Sequence, residues 1–410
     1  MFTHPLRAAA LAAALLPALA AAAPLTLTQA LDLALQRSEA VRSARAGVAS
    51  ASETARAAGQ LPDPTLRAGV DNLPVTGADR LGTTRDSMTM KRIGIGQEWV
   101  SAEKRAARQA AADATIGREL VSAQATAAEV RLQTVLAYLD AYFCGEALKL
   151  TTLSEHHVHE ELEAAKARLS SSAGSSQEVL ASTGAQGMAE DESAQARQQQ
   201  GAARVTLERW VGIPVDELAV PVEPAAVDER AFIEAHPTVL LAQRDMELAR
   251  QDAAVAASNR GPNWSWEVSY AQRTGYADMV SFGVSIPLPV APAERQDRET
   301  AARLALIEKA EAHLAEATRA AQAEYRGLAG DAQRLTERVQ RYQSSVVLAA
   351  QQRTAAALAG YRSNQVTLAL LFEARHMEVE ARRKLLSLQR ELAKTQAQLA
   401  YKPLVNGGAR

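Results

Sequence analysis

The chain has 410 residues and is almost neutral, with 45 basic against 47 acidic side chains, which argues against nucleic acid as a partner. Aromatic residues make up only 4% of the chain and alanine is abundant, a composition that favours long, closely packed helices over a thick globular core. The single cysteine, Cys144, cannot form an internal disulfide, and we expect it to be a small buried hydrophobe within a helix.

The first 23 residues predict an export signal. Arg7 precedes an apolar run, Ala8–Leu19, that is too short to cross a bilayer, and Ala-x-Ala sites follow near Ala20–Ala22. A retained membrane anchor is the alternative. We assign residues 1–23 to a signal peptide, with cleavage upstream of Pro24. No later apolar run is long enough for a transmembrane helix, so any entry into a membrane must use strands.

The first half of the chain predicts a helix, two strands and a long helical hairpin. Thr28 can cap the first helix, and Leu61–Pro64 ends it, because proline disfavours helical geometry in the residue before it. Gly, Thr and Asp mark the loop between the strands. The predicted elements are a helix over Leu27–Gly59, strands over Thr65–Val75 and Ser87–Val100, a helix over Ser101–Arg168, a turn over Leu169–Ser176 and a helix over Gln177–Val211.

The second half predicts the same order again. Pro64 matches Pro262, and Ile93–Ile95 matches Phe282–Val284. We therefore assign residues 24–220 to a first structural repeat, residues 221–401 to a second, and residues 402–410 to a C-terminal tail. The predicted elements are a helix over Asp228–Asn259, strands over Trp264–Ala271 and Val280–Leu288, an uninterrupted helix from Glu294 to Ala359, a turn over Tyr361–Asn364 and a last helix ending near Tyr401.

A heptad pattern runs through the longest predicted helix of each half. At about 1.5 Å per residue, such a helix is on the order of 100 Å long, which no compact globular domain needs. Regular 3-4 spacing favours lateral packing of helices with a slight left-handed twist. The first seam includes Ile116, Leu120, Ala127, Val130, Val135, Leu139, Tyr142 and Phe143, and the second runs from Leu304 through Leu328, Leu335 and Tyr342 to Val346 and Ala349.

Period-two alternation marks the predicted strands, with aromatic and aliphatic residues on one face and small or polar residues on the other. This pattern is typical of a membrane barrel wall, and also of a soluble sheet that packs on one face. The long flanking helices offer a soluble sheet no core, so we favour membrane strands. The predicted membrane-strand aromatics, which suit an interfacial girdle, are Trp99, Trp264, Trp266, Tyr270 and Phe282.

Four strands cannot enclose a channel, and lipid permits no open sheet edges. The chain must therefore oligomerise, and three copies supply about 12 strands, an even number that a barrel accepts. The predicted fold is mainly α with membrane β: a duplicated strand pair plus long helical hairpin, forming a homotrimeric β-barrel that continues as a long α-helical barrel. A dimeric coiled coil is the alternative for the heptads, but it leaves the strands unexplained.

This order of elements resembles the TolC family of outer-membrane channel proteins, over nearly all of the mature chain. Local sequence resembles the branch that serves heavy-metal resistance–nodulation–division (RND) efflux pumps, at Leu61–Leu66 (LPDPTL), Val70–Gly77 (VDNLPVTG) and Met88–Glu98 (MTMKRIGIGQE). The resemblance implies a trimeric conduit in the outer membrane of a Gram-negative bacterium, with a long periplasmic extension. It implies a periplasmic adaptor and an inner-membrane RND pump as partners, no enzymatic reaction and no cofactor.

The resemblance also implies that the two hairpin tips, Arg168–Leu180 and Tyr361–Ala374, form the periplasmic end where an adaptor docks and the tube constricts. An acidic residue is usual at the position of Glu178. It has two alternative roles, as part of a gate or as a simple cap of its helix. Of two acidic positions common in the second tip, one is Glu373 and the other is Leu370, so this tip departs from a complete double acidic ring. The candidate docking or gate residues are Arg168, Leu169, Gly174, Glu178, Tyr361, Arg362, Ser363 and Glu373.

A histidine cluster invites a metal-site hypothesis. His156 and His159 share a helix face, with His157 between them and glutamates on both sides. We favour a solvated charged stretch on the outside of the tube, because transit through a conduit requires release. No motif supports hydrolase or nucleotide chemistry.

Three other functions stay open. A type I secretion channel and a drug-efflux channel have the same fold with a different cargo. A periplasmic adaptor built on coiled-coil hairpins is a third, and it predicts one hairpin and no membrane strands.

Overall fold

The structure, a computed structural model, describes residues 24–363 and 365–404. The predicted signal peptide, residues 1–23, and most of the predicted tail lie outside them. None of the helices in the described ranges is both long and apolar enough to cross a membrane. The helices of these ranges are α1 Leu27–Arg37, α2 Glu39–Ala58, α3 Ala102–Ser170, α4 Ser176–Val211, α5 Glu229–Glu234, α6 Pro237–Ser258, α7 Gln296–Arg341, α8 Leu348–Arg362 and α9 Leu368–Tyr401.

Four strands form one antiparallel sheet in the order β1-β2-β3-β4. Both predicted strand pairs are confirmed, and pairing of β2 with β3 joins the two halves of the chain. Several strands end earlier than predicted. β1 stops at Asp71 because Asn72 adopts a positive φ of 55°, which leaves the extended region. The strands are β1 Thr65–Asp71, β2 Met90–Trp99, β3 Trp264–Arg273 and β4 Met279–Ser285.

Two long helical hairpins extend from the sheet. The first pairs α3 with α4, and the second pairs the α7–α8 rod with α9. Helix α3 has 69 residues and is therefore on the order of 100 Å long. The hairpins pack on each other through α3 and α9, where Val135, Leu139 and Phe143 form a buried cluster with Ala397. Cys144 is buried beside this seam, as predicted.

Two predicted single helices are each broken in two. The first divides at Ser38, whose ψ of 113° ends α1 and whose hydroxyl accepts a hydrogen bond from the Val41 backbone N–H to cap α2. Thr26, not Thr28, caps α1, and it forms a capping box with Gln29. The second divides into α5 and α6, because α6 begins at Pro237, which has no N–H to continue the preceding helix.

The long helix of the second half is continuous, but it contains a π-helical segment, Tyr342–Val347, between α7 and α8. A π turn holds one more residue than an α turn, so the buried face moves forward by one position. Val347 is buried while Val346 is 40% exposed. In the isolated chain, Val346 and Ala349 of the predicted seam are therefore exposed. Leu120 and Leu304, also assigned to the seams, are 47% and 52% exposed.

Tyr138 is fully buried near the middle of α3 and connects three segments of the chain. Its hydroxyl oxygen lies 2.7 Å from the carbonyl oxygens of Leu25 and Ala219, and it donates its one hydrogen to one of them. Burial raises its pKa to about 12. The segment that precedes α1 pairs with the segment after α4 through a parallel bridge between Leu25 and Leu218. Tyr138 thereby fixes both segments against the long helix.

Replacing Tyr138 with phenylalanine should lower the free energy of unfolding by about 1–3 kcal/mol, because the hydrogen bond of the buried hydroxyl is lost and the Ala219 carbonyl keeps no other donor among the described residues. Tyr142→Phe is the matched control, since the Tyr142 hydroxyl forms no hydrogen bond with any described residue, and it should change stability far less. Thermal unfolding of the purified detergent-solubilised proteins measures the difference. Equal melting temperatures for the two variants would contradict the anchoring role.

Candidate functional site

One face of the sheet is mainly apolar on all four strands, and Lys91, Gln97 and Gln272 are its polar members. The pairing places Ile95 opposite both Leu66 and Val268, and Val268 opposite Phe282. Phe282 is 81% exposed and Leu66 is 73% exposed, so the face is open in the isolated chain. All five predicted strand aromatics lie on this face: Trp99, Trp264, Trp266, Tyr270 and Phe282.

The opposite face is polar and crowded along β2. Gly94 and Gly96 are buried there, and a Cβ added to Gly94 would lie 2.7 Å from the Cβ of Ser269. Because β2 has no side chains at these positions, Arg67 of β1 reaches across it to β3. Its Nη1 atom lies 2.6 Å from Oε2 of Glu267. The glycines were identified in the sequence only as parts of matching motifs, and the ion pair above them was not predicted.

A buried lysine joins the sheet to the long helices. Lys104, at the start of α3, is 5% exposed, and its Nζ donates hydrogen bonds to the Gly261 carbonyl and to Oδ1 of Asn263. Asn263 in turn donates to Glu98 at the end of β2, over 2.7 Å. Burial lowers the pKa of Lys104, and Arg108 lowers it further. The sequence gives no signal for this contact, because Gly261 and Asn263 lie 157 and 159 residues further along the chain than Lys104.

The first tip, between α3 and α4, is braced by its own residues. Arg168 lies 3.4 Å from Glu178 across the turn, and it donates a hydrogen bond to the Ala173 carbonyl over 3.3 Å. Ser175 caps α4 by accepting a hydrogen bond from the Glu178 backbone N–H. Glu178 also lies in the first turn of α4, where a negative charge complements the helix dipole. These contacts stay within one hairpin, which favours the cap over the gate for Glu178 in the isolated chain.

The second tip, between α8 and α9, is built similarly. Tyr361 is half-buried against a small apolar cluster, while Arg362 and Ser363 are exposed. The Ser363 hydroxyl donates to carbonyl groups at the end of α8, over 3.1 Å. Glu373 lies 2.7 Å from Arg353, again within one hairpin. Each candidate tip residue therefore lies at one of the two tips, except that Glu373 is already in the second turn of α9.

The two hairpins are linked to each other by a basic stripe on α9 that the sequence analysis missed. Its members recur at roughly heptad spacing, and each faces an acidic residue of α3 or α4. That spacing is visible in the sequence, but its partners are not. The pairs are Arg375 with Glu160 at 3.8 Å, Arg383 with Glu192 at 2.9 Å, Arg390 with Asp140 at 2.7 Å and Lys394 with Asp140 at 3.0 Å.

The histidine cluster lies on α3 and is mostly exposed. His156 Nε2 lies 3.3 Å from Oε1 of Glu160, and His159 points into solvent on the same helix. Burial, and then Arg375, lower the pKa of His157. Among the described residues, no group of three or more histidine, cysteine or acidic side chains is placed to hold a metal ion.

Comparison with known proteins gives a fold but no sequence relative. No protein-family model and no curated protein matches the chain. Solved structures with similar folds include the outer membrane protein VceC from Vibrio cholerae, with a TM-score of 0.76 and 16% identity over 93% of this chain and 97% of that one. CusC has a TM-score of 0.75 and 14% identity, covering 92% of this chain and 91% of that one. The outer membrane channel MtrE from Neisseria gonorrhoeae, in its open state, has a TM-score of 0.76 and 17% identity, covering 93% and 89%. The predicted TolC-like fold of the protomer is confirmed.

Gly174→Ala should loosen the first tip. A Cβ at this position would lie 3.0 Å from the Leu169 nitrogen and 3.1 Å from the Arg168 carbonyl carbon, both backbone atoms that cannot move aside cheaply. We expect trypsin to cleave after Arg168 several-fold faster in the variant. Gly184→Ala on α4 is the control, because nothing lies within 4 Å of an added Cβ there. Faster cleavage in both variants, or in neither, would contradict this role for Gly174.

Proposed function

We propose that this protein is the outer-membrane channel of a tripartite efflux pump: a passive homotrimeric conduit of the TolC family. The observation that carries the proposal is a single sheet, apolar on one face and polar on the other, continued by helices of about 100 Å. An apolar sheet face of this kind suits lipid outside, and the polar face suits a water-filled lumen. The helices then extend into the periplasm, towards an adaptor and an inner-membrane RND pump.

The edges of the sheet support the trimer. Within the described residues, β1 and β4 each pair on one side only. Backbone groups on an open edge cannot be satisfied in lipid, and pairing β1 of one copy with β4 of the next satisfies both. Three copies close about 12 strands, which is within the range of known membrane barrels. A periplasmic adaptor is disfavoured, because it predicts one hairpin and no membrane strands.

The hairpin tips are the proposed docking and closing end. Arg168, Leu169 and Gly174 shape the first tip with Glu178. Tyr361, Arg362 and Ser363 shape the second, and Glu373 follows in α9. Exposed side chains on the two tips together form one surface for a partner. The hydrogen bonds and ion pairs within each turn hold the shape of that surface.

For cargo we propose heavy-metal cations. The support is the resemblance of Leu61–Leu66, Val70–Gly77 and Met88–Glu98 to the heavy-metal branch. All three segments lie in or beside the first strand pair. A conduit needs no tight metal site, because transit requires release. Drugs and secreted proteins are the other cargoes that this fold can serve.

Neighbouring residues on β4 test the membrane face. Phe282→Lys puts a charge on the apolar face, at a cost of about 2–4 kcal/mol near the bilayer midplane. Ser281→Lys puts the same charge on the polar face and is the control. We expect Phe282→Lys to abolish heat-modifiable trimers in outer-membrane fractions, and Ser281→Lys to retain them. Soluble periplasmic monomers for the unmodified protein would contradict the proposed function itself.

Deletion of the gene tests the cargo. With the partner pump expressed, we expect deletion to lower tolerance to at least one of copper, silver, zinc, cobalt, nickel and cadmium. Tolerance to a panel of drugs is measured in the same strains. Unchanged metal tolerance with lowered drug tolerance would replace the metal cargo and keep the conduit.

A further inference from the structure

Glu161 is a buried carboxyl group close to the tips. It lies on α3 about two turns before the first tip, and it is 7% exposed. It forms no hydrogen bond with any described residue. Leu162 and Ala165, its neighbours along α3, are also buried. A carboxylate in such a buried position loses part of its hydration, which burial takes less of from the neutral acid, so burial favours the neutral form.

The charged groups near Glu161 do not remove this cost. Arg375 of α9 favours the ionised form, but it also faces Glu160, from which it lies 3.8 Å. Glu160 itself disfavours ionisation of its neighbour. Glu378 of α9 pairs with Arg382 over 2.5 Å, and His157 of α3 lies near Arg375, His156 and Glu378. Burial is the largest effect, and it raises the pKa of Glu161 from 4.5 to about 7.

Near Glu161, α3 can separate from α9 of the second hairpin, but not from α4 of its own hairpin. Helix α4 is joined to α3 by a short turn, and Arg168 and Glu178 hold that turn closed. Helix α9 belongs to the other hairpin and is held at this level by the pair between Arg375 and Glu160, the longest of the inter-hairpin contacts at 3.8 Å. Exposed pairs of this kind contribute about 0–1 kcal/mol. Apolar packing near Ala164 supplies the rest of the contact.

We propose that Glu161 is a pH-sensitive switch between the two hairpins: its neutral form lets α3 pack against α9 near the tips, and its ionised form separates them. The ionised carboxylate regains water when the hairpins part. The separation of the hairpins does not depend on the proposed function. Only the further step, that this separation opens a conduit, rests on it.

The sign follows from proton linkage. The packed state holds the proton on Glu161 more tightly than the separated state, in which the side chain is hydrated and its pKa has the ordinary value of a glutamate. Lowering the pH therefore favours packing. Between about pH 5 and 7 the ratio of packed to separated molecules should fall roughly tenfold per pH unit, and above about pH 7 it should level off.

The test uses the purified, detergent-solubilised full chain with spin labels at Ser170→Cys and Gln365→Cys, which are exposed positions on the two tips. Labelled chains are diluted with unlabelled chains, so that distances within one chain dominate. Pulsed electron resonance then gives the distance distribution from pH 5 to 8. We expect one short distance at pH 5 and a growing longer population as the pH rises to 7.

Three variants identify the group. Glu161→Gln should stay packed at every pH. Glu163→Gln is the matched control, an exposed glutamate on the same turn that pairs with Lys166, and it should keep the transition. His157→Gln should also keep it. A pH-independent distance in the unmodified chain, or a transition that survives in Glu161→Gln, would overturn the switch.

Failure of the switch and failure of the conduit are distinguishable. Normal export and outer-membrane trimers with no pH-dependent distance would overturn the switch alone. A pH-dependent distance in a protein absent from the outer membrane would overturn the conduit alone.

Discussion

Hydrogen bonding at the two open edges of the sheet is the constraint on which the rest of the molecule depends. β1 and β4 each leave one row of backbone groups without a partner among the described residues. An exposed edge in water is an aggregation hazard, and in lipid it is untenable. Since Phe282 and its neighbours make one face of this sheet apolar and exposed, lipid is its proposed surrounding, and edge pairing between copies is the solution available. In the proposed barrel the trimer is then a consequence of strand count, and the helices inherit the symmetry that the strands impose.

The helices solve a second problem, which is to keep two very long hairpins in register. Apolar packing alone permits sliding along a repeated pattern of alanine and leucine. The basic stripe of α9 removes this freedom, because Arg383, Arg390 and Lys394 each meet an acidic residue of the first hairpin. Such pairs contribute little net stability, so their value lies in specifying one alignment. Lys104 does the same at the sheet end, where it joins α3 to the segment before β3.

Local patterns in the sequence predicted the helices and strands of this fold well. They did not predict the side-chain contacts between distant segments. The strand pairs, the hairpins and the tip turns followed from period-two alternation, heptad spacing and the placement of glycine and proline. Proline at 237 was visible too, but its position as the first residue of a new helix depends on where the preceding one ends. The π segment at Tyr342–Val347 has no clear sequence signal, and it displaces the buried face by one residue. The bridge from Arg67 to Glu267 depends on the strand register, which the sequence did not provide.

Contacts between the hairpins weaken towards the tips. Far from the tips, Asp140 accepts from both Arg390 and Lys394, whereas near the tips Arg375 lies 3.8 Å from Glu160. Within each hairpin, by contrast, the contacts remain strong near the tip. Arg168 pairs with Glu178 in the first hairpin, and Arg353 pairs with Glu373 in the second. A molecule built this way loses contact between hairpins before either hairpin unravels, since local opening follows the weakest contacts. The free end can therefore part while the sheet end stays fixed, which is what the proposed conduit requires if it is anchored in one membrane and opened from the other side.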